Sequence, residues 1–395
     1  MVGGSRGWRL GSMLGLAAVL ALSACSGEKE GSGSSTTASS GSDGCKASST
    51  GAAQYEKVWR STEQAFGLEQ SEIPPIEICD VDTAKYKKDP ANGRYRVALA
   101  AQGPTNSWAV ENEEAFKYRA KEQDVDVVYA SANGDAAKQV DNIQQLASQK
   151  PDAMVVVPMG SGITGQVRAA ASQDIPIVLC SGVLGPDSGA VSTVTRDYTL
   201  QGTLWADWIA KQIGGKGKVA MLSGIAGVPT AEFPKAAAEK TFAEKYPDID
   251  VVSKQYTDWS PTKAKTVAAS LVPKGLDAIW SDSSFSAMGV YEAYAQAGKP
   301  VPPVTGDASN AFLKAVDGKD VKFALSPFPP DGQGARCLDV ALDILHGKSV
   351  PSFVNVEAPA ITSQNMDKYV RKDCSDNLWV PPTLPDAVLR RLKLC

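Results

Sequence analysis

Histidine is almost missing from this chain: His346 is the only one in 395 residues. That scarcity removes His-rich zinc sites and leaves no basis for a histidine-driven nucleophile. His346 stands in a His-Gly-Lys-Ser stretch at a helix end, where a cap contact is its expected role, because positive charge suits the C-terminal end of the helix dipole. Gly347-Lys348-Ser349 has the tail of a phosphate loop, but Leu342 occupies the place of its first glycine. Beyond the N-terminal leader there is no Gly-x-Ser-x-Gly elbow, and no Cys-x-x-Cys pair occurs. No catalytic residue, cofactor or metal-ligand set is therefore expected, which excludes most enzyme classes and leaves an exported hydrolase without a recognisable motif as a remote reading. An excess of positive charge is lacking too: the formal net charge is −4, which provides no footprint for nucleic acid.

Long apolar runs are also scarce. The only sizeable one, 10–22, is too short to span a membrane; preceded by Arg6 and Arg9 and followed by small residues, it reads as a signal peptide over 1–24. Leu22-Ser23-Ala24-Cys25 resembles a bacterial lipobox, which implies a lipid on Cys25 and a place at the outer face of the cell membrane. Residues 25–50 are rich in Ser, Gly and Thr and read as a flexible tether with a reach of roughly 25–30 Å. Without Cys25, six cysteines remain, an even number that suits an oxidising compartment. Cys45 with Cys79 and Cys374 with Cys395 are the candidate disulfides. Cys180 closes an apolar run and is expected to be a buried thiol.

What is present is a duplication. Lys218-Val219-Ala220-Met221-Leu222 echoes Arg96-Val97-Ala98-Leu99-Ala100. Val251-Val252 echoes Val127-Val128, and Leu276-Asp277-Ala278-Ile279-Trp280 echoes Pro151-Asp152-Ala153-Met154-Val155. Val301-Pro302-Pro303-Val304 echoes Ile175-Pro176-Ile177-Val178, and the offset between these anchors stays within 122 to 126 residues. The anchors are short apolar runs of the kind buried in parallel sheets. They alternate with helical spacings such as Val140, Ile143, Leu146 and Ala147. The expected fold is α/β: two similar lobes, each a parallel sheet flanked by helices, joined by a three-strand hinge near 194–197, 325–328 and 358–361. An N-terminal extension (51–93), carrying one amphipathic helix through Tyr55, Val58, Trp59, Thr62 and Phe66, precedes the lobes. The first lobe is expected over 94–196 and 328–359, the second lobe and tail over 197–327 and 360–395.

In such sheets ligands sit beyond the carboxyl ends of the strands. There the sequence places Gln102-Gly103-Pro104-Thr105-Asn106-Ser107-Trp108, Ser181-Gly182, Asp258-Trp259-Ser260, Asp282-Ser283-Ser284 and Asp307-Ala308-Ser309-Asn310. Each of these fits a turn or a helix cap as readily as a ligand contact. An amide beside an aromatic suits a neutral polyhydroxylated molecule, whose C–H faces pack on the ring while its hydroxyls meet the amide.

Over residues 94–369 the ordered set of these motifs resembles type I periplasmic sugar-binding proteins of the ribose-binding kind, the receptors of ABC importers. The resemblance implies a hydroxyl contact at Asn106, stacking walls at Trp108 and Trp259, and a carboxylate accepting hydroxyl protons at Asp307. It departs at four places: an Asp-Arg pair is Ser181-Gly182 here, and an arginine has no counterpart in 230–237, where only Lys235 is near. The family's asparagine falls at Ser283, and a hinge glutamine at about Pro327. Those losses imply a ligand other than ribose. The function implied is an extracytoplasmic, monomeric lipoprotein that hands a neutral sugar or polyol to an ABC permease. A sensory receptor of the same fold, feeding a signalling partner, is the alternative.

Overall fold

The computed structural model describes residues 45–395; the signal segment, Cys25 and most of the expected tether lie outside the described residues. Among the described residues no helix is long and apolar enough to cross a membrane. The folded chain begins earlier than the tether reading allows. Helix α1 (Ser49–Phe66) is capped by Ser48, whose Oγ accepts the Gly51 N–H at 3.1 Å, and ends at Gly67 in the left-handed conformation. A two-residue strand, β1 (Asp80–Val81), follows.

Lobe one then runs β2 (Arg96–Ala101), α2 (Ser107–Glu122), β3 (Asp126–Ser131), α3 (Ala136–Ser148), β4 (Ala153–Val156), α4 (Thr164–Ala171), β5 (Ile177–Cys180) and β6 (Ser192–Thr195). Lobe two repeats the scheme with α5 (Tyr198–Gln212), β7 (Gly217–Ser223), α6 (Pro229–Lys245), β8 (Ile249–Tyr256), α7 (Pro261–Leu271), β9 (Ala278–Ser281), α8 (Ser284–Gln296), β10 (Val304–Gly306), α9 (Asn310–Val316) and β11 (Phe323–Leu325). The chain returns to lobe one through α10 (Pro330–Leu345), β12 (Val350–Pro351) and β13 (Phe353–Asn355). It crosses once more to β14 (Ile361–Thr362) and ends beyond α11 (Asp386–Arg391).

Each lobe holds a six-stranded sheet, ordered β13-β6-β5-β4-β2-β3 in lobe one and β14-β11-β10-β9-β7-β8 in lobe two. The repeat extends to single bonds. Asp152 accepts the Arg96 N–H at 2.7 Å and Asp277 accepts the Lys218 N–H at 2.7 Å, so the Asp-Ala of each copy pins the start of the matching strand, β2 or β7. The copies differ at the last strand, where β13 joins β6 in parallel but β14 joins β11 antiparallel. Strands β2, β4, β5 and β9 are buried along nearly their whole length, as the unbroken apolar runs require.

The chain passes between lobes at 196–197, 326–329 and 356–360. Arg196, fully buried, ties these passages together. Its Nη2 donates to Ser326 Oγ at 2.6 Å, and its Nη1 donates to the carbonyls of Val356 at 3.2 Å and Ala358 at 3.5 Å. Burial lowers its pKa to about 10, opposed by the neighbouring Asp197 carboxylate.

The N-terminal extension lies against this hinge. Tyr55, Trp59 and Phe66 of α1 pack in one cluster with Leu204 and Trp208 of lobe two and Phe353 of lobe one. Tyr55 donates its hydroxyl to Asp197 at 2.7 Å, and Lys57 pairs with Glu357 at 2.8 Å. At the other end of the chain, the tail after β14 is held by both lobes. It bonds to lobe two through Asn310 N–H to the Leu378 carbonyl and Val380 N–H to the Ala308 carbonyl. It reaches lobe one through Trp379 N–H to Glu111 at 3.1 Å and Leu384 N–H to Asp331 at 2.8 Å.

Three disulfides fasten the described residues: Cys45–Cys79, Cys374–Cys395 and Cys180–Cys337. The third corrects the expectation of a buried thiol at Cys180. The partner of Cys180 comes from α10, which returns to lobe one only after the whole of lobe two, so the local apolar run gave no sign of it. His346 ends α10 as its C-cap residue, its ring edge-on to Tyr95 at 5.5 Å.

Candidate ligand cleft between the lobes

The strand-end loops of both lobes converge on a cavity of about 360 Å³, within the range usual for small-molecule sites. Asn106, Trp108, Ser181, Trp259, Ser283 and Asp307 all line it, together with Gln102, Gln201, Phe285 and Phe328.

Backbone conformation sets several of these positions. Asp258 and Trp259 are consecutive non-glycine residues in the left-handed region, with φ of 53° and 51°, and Ser181 has φ of 58°. Such conformations cost about 1–3 kcal/mol each and persist where the surroundings over-determine them. The Trp259 ring lies directly against Gly224, where a methyl group would fall inside the indole; a glycine at the end of β7 is what lets the ring enter.

Two of the six candidates also cap helices. Asn106 Oδ1 accepts the Ala109 N–H at 2.9 Å, starting α2, and Ser283 Oγ accepts the Phe285 N–H at 3.1 Å, starting α8. Ser283 is almost fully buried. Trp108 is not a free wall on both faces. Its ring stacks on Phe328 at 5.5 Å and 20°, and its Nε1–H donates to the Phe328 carbonyl at 2.9 Å. Phe328, one residue past Pro327 where a glutamine was sought, thus fills the hinge position with an aromatic. Ser181 is fixed from three sides: Asn112 Nδ2 donates to its Oγ at 3.2 Å, the Tyr198 hydroxyl lies 3.2 Å from its carbonyl, and Cys180 beside it is disulfide-bonded. Lys235, the sole cation near the lost arginine, pairs with Glu232 and Glu239 at 3.5 Å each and does not line the cavity.

The charged groups belong to lobe two. Asp282 follows β9 and is 8% exposed; its Oδ2 accepts the Gly224 N–H at 2.8 Å, while its Oδ1 has no hydrogen-bond partner. Burial holds this carboxyl well above the usual range, the Gly224 N–H opposes the shift, and the charge of Asp307 adds to it. Burial likewise raises Asp307 from 3.8 to about 6, against the stabilising Ser284 N–H.

Asp282 and Trp379 are the residues that sequence reasoning missed. Asp282 stood in the quoted Asp-Ser-Ser loop, but the neighbouring serine was singled out. Trp379 lies in the tail, beyond the duplicated body; it packs edge-on to Phe285 at 5.3 Å and donates its Nε1–H to Ser107 at 3.1 Å. Only its aromatic character, ten residues past the end of the recognisable pattern, was available as a signal.

Comparison with known proteins agrees with this geometry. The family model of the periplasmic binding protein domain matches residues 97–349. The ribose import binding protein of Bacillus subtilis (strain 168) is 25% identical over 287 residues, 71% of this chain and 92% of that protein. A xylitol-binding protein of Mycolicibacterium smegmatis is 28% identical over 269 residues, 66% of this chain and 76% of the relative. Among solved structures, an ABC transporter solute-binding protein from Mycobacterium smegmatis with bound glycerol aligns with a TM-score of 0.63 and 25% identity, covering 72% of this chain and 99% of that one. A periplasmic solute-binding protein from Actinobacillus succinogenes 130z with bound D-allose aligns with a TM-score of 0.63 and 26% identity, covering 70% and 100%. These relatives are named for binding and import rather than for catalysis.

Proposed function

Because the chain belongs to the periplasmic binding protein family, we propose that it is an extracytoplasmic receptor that captures a small hydroxylated solute, of sugar or polyol type, between its lobes and delivers it to an ABC importer. The observation that carries this reading is the cavity itself: loops from two separately folded sheets line one space, joined by three narrow passages. A ligand touching both lobes makes contacts that exist only when they are closed, and that difference drives closure. The aromatic walls suit the C–H faces of a hydroxylated ring or chain. A lipid on Cys25 would hold the receptor near its permease as a monomer at the membrane surface.

Thermal-shift measurement over pentoses, hexoses and polyols tests the capture step. A true ligand at a hundredfold excess over Kd stabilises by about 2.7 kcal/mol, whereas no response across all hydroxylated compounds rejects the reading. Radiolabelled uptake by cells lacking this gene, expected to fall for that ligand alone, tests delivery. Fatty-acid labelling of the wild-type and Cys25→Ser chains tests the anchor.

A further inference from the structure

The cleft holds two carboxyl groups and is lined by neutral polar and aromatic side chains besides. Among the described residues that line it there is no Lys, Arg or His. The cations nearby are engaged elsewhere: Lys235 with Glu232 and Glu239, Lys263 with Asp258 at 2.7 Å, and Arg196 with Ser326 and two hinge carbonyls. The indole donors are engaged as well, Trp108 with the Phe328 carbonyl, Trp379 with Ser107 and Trp259 with Asp282 itself, so these rings offer the cavity their faces rather than their N–H groups. Gln201 directs its amide N–H to Ser326. Against this stand two carboxylates, Asp282 and Asp307, close enough that the charge of one disfavours the other. More than nine-tenths of Asp282 is buried, and one of its oxygens has no partner.

A neutral polyol brings no charge to set against the two carboxyls. An ammonium group carries three donors and no acceptor. It is also attracted to aromatic faces by their quadrupole, and a carboxylate beside such rings is the arrangement that recognises organic cations. Burial draws both carboxyls towards their protonated forms, and a ligand cation beside them favours the ionised forms instead.

Resting on the reading of the cleft as a receptor for hydroxylated solutes, we infer that the solute carries one protonated amine on its hydroxylated frame, with the ammonium at Asp282 and Asp307 against Trp259, Phe285 and Trp379. This replaces the neutral ligand expected from the sequence. The chemical class is an amino sugar or amino polyol.

Isothermal titration of the purified protein with matched pairs tests this: glucosamine against glucose, and 1-amino-1-deoxysorbitol against sorbitol, at pH 7 and physiological salt. The amine of at least one pair is expected to bind about tenfold or more tightly than its neutral partner, and N-acetylation of that amine is expected to abolish the advantage. Asp282→Asn should bring the two members of the pair within about threefold of each other, with its folding checked by circular dichroism; where that variant fails to fold, Asp307→Asn carries the same expectation. Neutral members binding as tightly as the amines, or an unchanged ratio in the folded variant, overturns the inference while leaving the receptor reading intact. Binding by no member of any pair or of the wider hydroxylated panel overturns both.

Discussion

Lobe one brings Gln102, Asn106, Ser181 and Trp108 to the cleft, whereas lobe two brings both carboxylates, Trp259 and Phe285. The sheets behind them match in all but the direction of the last strand, even to the aspartates that pin β2 and β7. Duplication has therefore preserved what packing demands and released what the loops carry. A strand buried on both faces tolerates little change in volume, while a loop at its end need satisfy only its own turn and cap. Lobe one does own a buried carboxylate, Glu111, but it faces the tail: its Oε1 accepts the Trp379 N–H and its Oε2 has no partner.

The contrast is sharpest at the two tryptophans. Trp259→Ala is expected to lose about 3 kcal/mol of ligand affinity, roughly a hundredfold, while the melting temperature moves little, because the residue is half-exposed and outside the core. Trp108→Ala should cost less affinity and more stability, since it also removes the Phe328 stack and a hinge hydrogen bond. Calorimetry and thermal melts on both variants check this, and equal affinity losses would erase the asymmetry.

Next in size is Glu111→Gln. Burial, with the charge of Asp331 adding, raises Glu111 from 4.5 to about 9, so the fold favours its protonated form. Its contribution to stability is complete below pH 4.5 and is lost as pH rises from there towards 9. Between pH 5 and 8 the wild-type protein should lose on the order of 2 kcal/mol through this group, and the glutamine variant should show a flatter profile. Chemical denaturation at both pH values reads it; parallel profiles for the two proteins would count against it.

Asp307→Asn is a smaller version of the same experiment in lobe two. Its raised pKa of about 6 means that stability is lost as pH climbs from 3.8 to 6, and the residue is open enough to the cleft that about 1 kcal/mol is a fair ceiling. Ser181→Ala, its counterpart in lobe one, should show no such window. Smallest of all is Lys57→Ala: the ion pair with Glu357 is exposed on both sides, so α1 should stay in place with a loss under about 0.5 kcal/mol.

The sequence made the lobes, the strand–helix alternation and the loops of the cleft legible because each rests on local signals: apolar runs, helical spacing and a repeat. All six candidate residues line the cavity for that reason. Which neighbour carries the charge into the cleft was not legible. Asp282 and Ser283 are adjacent and both line it, but the aspartate is held there by a bond to Gly224 beyond another strand. Cys337, Trp379 and the seat of α1 were invisible on the same ground, since each meets its partner across a distance in sequence that no periodicity spans. The extension showed its amphipathic face, but not that a hinge lay beneath it.

The Cys180–Cys337 bond gives the chain an unexpected covalent map. The two residues are 157 apart in sequence, and between them lies every strand of lobe two except β14. Lobe two is thus largely a ring, closed at the base by sulfur and threaded back into its sister. A single proteolytic cut anywhere in that ring would leave the two fragments covalently joined through lobe one. Before folding, the same ring would confine the second lobe's chain to a tethered loop, lowering the entropy it must surrender. The ring keeps the first lobe whole independently of the three passages that lead to its sister.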